Sequence, residues 1–383
     1  MDYTLKFESD LENFLKIIIK NAHMSNVRVF FVGGVVRDTI LKRDIEDFDL
    51  ILEGNAVEFA KKLPKEIEIK SIHDDFKTVK VLYKNKTIDI ASTRLEEYPY
   101  CGSLPVVTKI GVDIKEDSNR RDFTINSMYF ELNLKDDEIT YTLHDFHNGL
   151  EDIEKKCLQV LHEKSYADDP TRILRGLNFK YRLDFNFTTD DRYLIENTIV
   201  NSDFSKMSLD RFNSVLYNIL KTNNADTVFL DFMRNHYYRI VNSKIRYKIN
   251  FTLLDKLSRI LQDFKPSKLE KADFYYKIIH NEKVEKQKFN SILEIYQFFS
   301  KYSISDLAYY YYKTSDNSAK KYLKIKNIKL LTTGRDLIKI GFNQGKTIGE
   351  ALDFILEEKI KNKDNFKTKE DEISFLEANF PKK

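Results

Sequence analysis

The spacing of apolar residues divides the chain into a mixed α/β first part and a helical remainder. Residues 8–25 carry apolar side chains at helical spacing, and residues 27–32 form an apolar run typical of a short buried strand. The pair Gly33-Gly34 ends this run. A helix-compatible segment follows, and then a second strand that carries Asp47 and Asp49.

Further strands are predicted before residue 150. Residues 55–63 form an amphipathic helix pattern, and three short strands are predicted over residues 67–72, 77–83 and 86–91. One more strand is predicted over residues 140–145. Between them, residues 92–119 show no regular pattern, so we predict a long loop there. The α/β part is expected to end near residue 150.

Beyond residue 150, strand patterns give way to helical ones. They cover residues 168–182, 211–220, 227–233, 253–261, 291–299 and 351–357. The fold class predicted from these patterns is α+β, a mixed sheet with helices followed by an all-α part.

Composition narrows the class of protein. At 383 residues and 42% apolar content, the chain can fill more than one core. Its net charge is only +3, so a basic partner surface must be local. Cys101 and Cys157 are too isolated for a disulfide framework or a zinc site. No apolar run approaches the roughly 18 residues of a membrane span, and the N-terminus is typical of neither a signal nor a transit peptide. We therefore expect a cytoplasmic location and no membrane partner.

Asp47 and Asp49 are the first candidates for chemistry. Residues two apart on a strand point to the same face, and paired carboxylates suit divalent cations that act on a phosphate. The backbone N–H groups of a Gly33-Gly34 turn can approach phosphate oxygens closely. Taken singly, the two acids are more often a solvated strand end, and the glycines a tight turn.

A second candidate lies about 120 residues downstream. Asp169 and Arg172 are three apart at a predicted helix start, close enough for both to face one ligand. A carboxylate accepts hydrogen bonds and a guanidinium donates them, which matches the pairing edges of cytosine and adenine but mismatches uracil and guanine. The alternative for Asp169, which precedes Pro170, is a helix N-cap.

Five motifs in the first 185 residues together resemble the class II tRNA nucleotidyltransferases, the family of bacterial-type CCA-adding enzymes and poly(A) polymerases. They are Gly33-Gly-Val-Val-Arg-Asp38, Asp47-Phe-Asp49, Arg120-Arg-Asp-Phe-Thr-Ile-Asn126, Leu143-His-Asp-Phe146 and Asp168-Asp-Pro-Thr-Arg-Ile-Leu-Arg175. A weaker match, over residues 334–345, resembles the tail element of the family. The resemblance implies a polymerase-β-like head followed by a helical neck, body and tail.

The resemblance also implies roles for individual residues. Asp47 and Asp49 would be the catalytic acids that bind Mg²⁺. Asp89 falls where related polymerases often carry a third acid. A buried acid that has hydrogen-bond partners and only a structural role fits its position about as well. The nucleotide would be bound by residues from three of the motifs: Gly33, Gly34, Arg37, Asp38, Arg121, Asp122, Asn126, Asp169, Arg172 and Arg175. One departure is Asn178, where the family usually has an arginine.

By this resemblance the protein is expected to add C, C and A to the 3′ end of tRNA from CTP and ATP, without a template. The alternatives are an A-adding or CC-adding enzyme of a split system, or a poly(A) polymerase. The expected domains are a catalytic head (1–150), a neck that selects the nucleotide (151–222), a body (223–300) and a tRNA-binding tail (301–383). The basic run 320–329 is a candidate RNA contact, with an ordinary charged surface as the alternative.

Overall fold

A computed structural model describes residues 7–45, 48–241, 243–244 and 247–381 of the chain. Their contacts divide the chain into two compact units, Met1–Ile219 and Leu220–Lys383. Within the described ranges, none of the helices combines the length and the apolar character needed to cross a membrane.

The first unit is built on a seven-stranded sheet in the order β3-β4-β5-β2-β1-β8-β9. Its elements up to residue 92 are α1 (Ser9–Met24), β1 (Val29–Val32), α2 (Gly34–Ile40), β2 (Asp49–Leu52), α3 (Ala56–Ala60), β3 (Ile67–His73), β4 (Thr78–Tyr83) and β5 (Lys86–Ser92). All of them were predicted from the spacing of apolar residues. The spacing predicts these strands correctly because burial follows it: β4 and β5 bury alternate side chains, and β1 buries all four of its side chains.

The prediction of a loop over residues 92–119 is wrong. The segment contains β6 (Arg94–Glu97), β7 (Val106–Ile110) and α4 (Ile114–Ser118), and the two strands form an antiparallel pair of their own. Sequence periodicity missed the pair because little of it is buried: no residue of either strand belongs to the buried core, so apolar alternation is weak.

The sheet is completed by β8 (Tyr129–Lys135) and β9 (Glu138–His144). The remaining elements of the first unit are α5 (Gly149–Glu154), β10 (Cys157–Leu158), α6 (Ser165–Asp168), α7 (Thr171–Leu183), β11 (Asn186–Phe187), α8 (Thr189–Asn201) and α9 (Leu209–Leu220). The short parallel pair of β10 and β11 was not predicted. Otherwise the expected change from sheet to helices near residue 150 is confirmed.

Among its described residues, the second unit contains helices joined by loops, and no strands. It contains α10 (Ala225–Arg234), α11 (Tyr238–Val241), α12 (Phe251–Phe264), α13 (Lys268–His280), α14 (Ile292–Phe299), α15 (Ile304–Thr314), α16 (Ser318–Ile325), α17 (Gly334–Lys339), α18 (Lys346–Lys361) and α19 (Lys369–Asn379). Several of these helices begin at a serine or threonine cap, such as the capping boxes of Ser267, Ser303 and Thr368. The predicted α+β fold class, a mixed sheet followed by helices, is confirmed.

One end of the sheet gathers three of the sequence motifs. β1 is antiparallel to both of its neighbours, and Phe31 pairs with Leu50 of β2 and with Phe130 of β8. The end of β1 therefore lies beside the starts of β2 and β8. The glycine pair after β1, the acid that opens β2 and the segment that precedes β8 meet at this edge.

Candidate active site

The glycine turn after β1 has a backbone that favours glycine. Gly33 has φ of +71° and ψ of −121°, a conformation that side chains of L-residues rarely adopt. Its carbonyl accepts the first helical hydrogen bond from the N–H of Arg37, at 3.1 Å. The turn thus starts α2 directly at the sheet edge, and a side chain at Gly33 would strain it.

A cavity of about 730 Å³ opens at this edge. All ten residues predicted to bind a nucleotide line it, together with Asp49. Among the described residues, its wall carries nine arginines and six carboxylates: Arg37, Arg43, Arg94, Arg120, Arg121, Arg172, Arg175, Arg182 and Arg211, with Asp38, Asp44, Asp49, Glu96, Asp122 and Asp169. The excess of guanidinium groups favours an anionic ligand, and planar guanidinium forks suit phosphate oxygens.

Arg37 is fixed in the cavity wall by three neighbours. Its Nε and Nη2 donate to the two carboxylate oxygens of Asp38, at 2.9 and 2.7 Å, and its Nη1 donates to Oδ1 of Asn126, at 2.7 Å. The guanidinium also lies 5.0 Å from the ring centre of Phe179. This buried arginine links the motif after β1 to the motif before β8.

Asp122 joins that second motif to the helix α7. It accepts hydrogen bonds from Nδ2 of Asn126, at 3.1 Å, and from the N–H of Phe123, at 2.8 Å, and it pairs with Nη2 of Arg175, at 2.6 Å. Burial by itself would raise the pKa of Asp122, but Arg175 and Asn126 hold it below its ordinary value. Asp122 therefore stays ionised and holds Arg175 at the cavity.

The double arginine of the same motif is held by an acid that the sequence did not single out. Asp117 is fully buried and accepts from Nη2 of Arg121 and from Nε of Arg120, both at 2.9 Å. Nε of Arg121 also donates to the hydroxyl of Tyr129, at 2.8 Å. Burial opposes the charge of Arg121, yet Tyr129 and Asp117 raise its pKa, so it is a permanent cation.

Asp169 and Arg172 both line the cavity, but their contacts differ from the expected arrangement of a joint pair. Among the described residues, the ion-pair partner of Asp169 is Arg211, from the start of α9. Asp169 also accepts from the N–H and the hydroxyl of Thr171, at 3.0 and 2.6 Å, as an N-cap would. Asp169 precedes α7 with Pro170 between them, and its carboxylate makes these cap-type hydrogen bonds while it also lines the cavity.

Arg172 is almost completely buried, and neighbours hold its guanidinium on several sides. Nη1 donates to the hydroxyl of Ser165, while Nη2 donates to the carbonyl of Arg120, at 2.8 Å, and to the hydroxyl of Tyr98, at 3.4 Å. These contacts use three N–H groups, and a guanidinium has five. Arg211 and Tyr98 were missed by sequence reasoning, since no local pattern connects them to α7.

The candidate metal acids are only partly described. Asp49 is an exposed carboxylate at the cavity, and Asp89 of β5 is its register partner across the parallel pair of strands, so both side chains lie on one face. Asp89 also pairs with Nζ of Lys80, at 3.1 Å. Asp47 lies outside the described residues. Within the described residues, no group of three or more potential metal ligands is found.

The unpredicted strand β6 contributes a further part of the wall. Arg94, Glu96 and the following Tyr98 alternate along the chain and all line the cavity. Glu96 accepts from Nε of Arg94, at 2.6 Å, and from Nη1 of Arg120, at 3.4 Å. Asn178, which replaces the usual arginine, also lies in the wall. In the sequence, the polar residues at alternate positions were the only indication that one face of β6 lines the cavity.

Sequence comparisons with known proteins match parts of this chain. Residues 29–159 match the Poly A polymerase head domain family. An A-adding tRNA nucleotidyltransferase of Aquifex aeolicus is 38% identical over 175 residues, which cover 45% of this chain and 20% of that protein. A CCA-adding enzyme of Staphylococcus epidermidis is 29% identical over 216 residues, which cover 56% of this chain and 51% of that protein. The chain therefore spans between a fifth and a half of the length of these relatives.

Solved structures match almost the whole chain. A CCA-adding enzyme in its apo form II has a TM-score of 0.74 and 25% identity, with 98% of this chain and 97% of that chain covered. A complex of CCA-adding enzyme with CTP scores 0.72 at 26% identity, covering 98% and 96% of the two chains. The Thermotoga maritima CCA-adding enzyme complexed with tRNA scores 0.71 at 25% identity, covering 97% and 96%.

The fold and the family match define a polymerase-type nucleotidyltransferase head followed by helices. The chain is thus similar to the class II tRNA nucleotidyltransferases, with a head-domain match over residues 29–159 and CCA-adding enzymes as structural neighbours. Members of this family generally depend on a divalent metal.

Proposed function

We propose that the protein is a template-independent CCA-adding tRNA nucleotidyltransferase, which adds C, C and A to the tRNA 3′ end from CTP and ATP. The observation that carries this proposal is the extent of the structural likeness. CCA-adding enzymes, among them ones solved with CTP and with tRNA, match at least 97% of this chain and 96% of their own. The neighbour solved with tRNA supports tRNA as the partner, and a cytoplasmic location is part of the proposal.

The arginine-lined cavity supplies the binding site for the triphosphate in this proposal. Arg37 and Arg175 are each pre-oriented by a carboxylate, so little side-chain freedom is lost when a phosphate binds. Gly33 and Gly34 open the wall beside them, so that a phosphate oxygen can approach the backbone. Asp38 and Asn126 hold Arg37 in place, and Asp122 holds Arg175. Arg121 is proposed to contact the nucleotide itself.

The catalytic acids proposed are Asp47 and Asp49, and Asp89 is proposed as a third metal ligand. The exposure of Asp49 at the cavity and the same-face position of Asp89 fit a divalent cation that prefers oxygen ligands. We propose Mg²⁺, which when bound would lower the pKa of the attacking hydroxyl and neutralise phosphate charge. Arginines in the wall add to that neutralisation.

The reaction that follows is a single displacement. The 3′-oxygen of the RNA forms a bond to the α-phosphorus of CTP or ATP, while the bond between that phosphorus and the bridging oxygen breaks. Pyrophosphate leaves with the electron pair, and the hydroxyl proton passes to solvent. No covalent intermediate on the protein is needed, so the residues act by positioning and by charge.

Choice of C or A is assigned to Asp169 and Arg172. Their carboxylate and guanidinium present an acceptor and a donor to the base, which suits the amino group and ring nitrogen of cytosine and adenine. Uracil or guanine would leave buried polar groups unpaired, which costs about 1–3 kcal/mol per group. The protein itself would thus take the place of a template.

The domain scheme of head, neck, body and tail remains part of the proposal, with tRNA held by the helical part. In the basic run 320–329, Lys320 is engaged by Asp263, at 2.5 Å, and lies 4.2 Å from the ring centre of Tyr311. These contacts leave Lys320 less available for RNA. The proposed phosphate contacts of the run are therefore those of its later lysines.

Extension assays on truncated tRNAs test the proposal. The protein is incubated with Mg²⁺ and tRNAs that lack CCA, CA or A, with CTP and ATP supplied separately and together. Addition of C to the first two substrates and of A to the third is expected. A protein that binds these tRNAs but extends none of them would refute the proposed activity. The control is Asp49→Asn, which is expected to bind tRNA normally but to lose extension.

The second candidate function is A addition alone. It is favoured by the higher identity, 38%, to the A-adding relative of Aquifex aeolicus. In the same assay, an A-adding enzyme would extend only the tRNA that lacks A, which decides between the two candidates.

A further inference from the structure

Asp117 is the most completely satisfied buried carboxylate beside the cavity, although it does not line the cavity. None of its surface is exposed, and five contacts converge on its two oxygens. Oδ1 accepts from the N–H of Arg94 and from Nε of Arg120, while Nη2 of Arg120 lies 2.9 Å from it. Oδ2 accepts from Nη2 of Arg121, at 2.9 Å, and from the hydroxyl of Tyr129, at 2.8 Å.

The charge of this carboxylate is maintained by its neighbours. Burial alone would raise the pKa of Asp117, but the guanidinium groups of Arg121 and Arg120 hold it below its ordinary value. Removal of the charge would take from Arg121 the carboxylate it pairs with and would leave Arg120 with its longer contact to Glu96. Such a loss is expected to shift these side chains and the backbone that carries them.

Two of the three groups that hold Arg172 are connected to Asp117. One is the carbonyl of Arg120, whose side chain Asp117 binds. The other is the hydroxyl of Tyr98, the residue that directly follows β6. Asp117 accepts a hydrogen bond from the N–H of Arg94, the first residue of that strand. The third, Ser165, belongs to α6 and has no such connection in the described contacts.

We propose that Asp117 is a positioning residue for base selection, which acts on Arg172 through Arg120 and through β6. The inference deepens the proposed function and rests on the role assigned there to Arg172. It distinguishes base choice from phosphate binding, because Arg37 and Arg175 are oriented by other carboxylates, Asp38 and Asp122.

The test is equilibrium binding of CTP, UTP and pyrophosphate to the full-length protein, which needs no catalysis. Asp117→Asn keeps the shape of the side chain but removes its charge. It is expected to lower the preference for CTP over UTP about tenfold, a size typical of coupling between groups in one hydrogen-bond network. Pyrophosphate affinity is expected to change by less than about twofold.

Asp191→Asn is the matched control. Asp191 is also a buried carboxylate, and it accepts from Val160, Tyr166 and Thr188, but it lies outside the cavity wall. Its substitution is expected to reduce thermal stability and to leave the CTP preference unchanged. Should Asp117→Asn fail to fold, Arg120→Gln breaks the same connection and is expected to lower the preference in the same direction.

A double-mutant cycle with Arg172→Ala decides the route. If Asp117 acts through Arg172, Asp117→Asn lowers the preference for CTP over UTP in the wild-type protein. In a protein that already carries Arg172→Ala, Asp117→Asn has no further effect on that preference. The inference is overturned if CTP and UTP affinities fall equally, if the control loses preference as well, or if the two substitutions are additive. A wild-type protein that prefers CTP in binding but adds nothing to tRNA would refute the proposed function and leave this inference standing.

Discussion

At the scale of single residues, the site depends on carboxylates that orient arginines. Asp38 holds Arg37, and Asp122 holds Arg175, in each case through a short ion pair. Asp169 has a different place, since it pairs with Arg211 and caps α7 through Thr171. A substitution at Asp169 therefore affects both the start of α7 and the proposed recognition of the base. An experiment must separate these two effects.

We predict that Asp169→Ala relaxes base choice more than it weakens tRNA binding. Asp169→Asn serves as the matched variant, because its side-chain oxygen still accepts from Thr171 and retains the cap. Loss of the cap alone costs about 1 kcal/mol. Two quantities are measured for each variant: the ratio of CTP to UTP incorporation, and the Kd for tRNA. Unchanged nucleotide preference in both variants would show that Asp169 does not select the base.

At the scale of elements, α7 is the helix that brings two of the candidate arginines to the sheet edge. Its position depends on Gly176, where a Cβ would lie 2.4 Å from the ring of Phe187 and 3.0 Å from that of Phe123. Phe123 directly follows Asp122 of the cavity wall. The close approach of α7 thus places Arg172 and Arg175 of the same helix at the cavity.

Gly176→Ala is expected to destabilise the first unit by about 1–3 kcal/mol, the usual cost of overpacking a core. It should also weaken nucleotide binding, since α7 must move away from the head. The measurement is urea denaturation beside the affinity for CTP. Gly349→Ala in α18 is the control, because a Cβ there meets nothing within 4 Å; equal effects of the two substitutions would contradict the packing argument.

At the scale of the whole molecule, the two units have separate cores and separate buried charges. In the second unit, Glu372 is fully buried, pairs with Nζ of Lys359, at 2.5 Å, and accepts from the N–H groups of Leu331 and Thr332. Burial alone would raise the pKa of Glu372, but Lys359 and these N–H groups hold it below its ordinary value. The carboxylate therefore connects three segments of the unit.

The lowered pKa of Glu372 predicts an acid-sensitive second unit. A carboxyl group whose pKa is lower in the folded state stabilises that state above its unfolded pKa, about 4.3. This stability is lost as the pH falls below that value towards the folded pKa. Glu372→Gln is expected to remove most of this dependence and to destabilise the unit by about 3–5 kcal/mol at neutral pH, because Lys359 stays buried without its counterion. Circular dichroism of both proteins between pH 7 and pH 3 measures the effect, and parallel curves would refute it.

Local sequence determined the elements with a strong apolar pattern and the residues of the motifs. β4, β5 and the long helices follow from burial that repeats at a fixed period, and β1 follows from an unbroken apolar run. The ten nucleotide-binding candidates line one cavity because their motifs end or begin neighbouring strands and α7. Only the tertiary structure revealed the strands β6 and β7, the partner of Asp169 and the buried Asp117. These depend on contacts between distant parts of the chain, such as Asp169 with Arg211, which leave no periodic trace in the sequence.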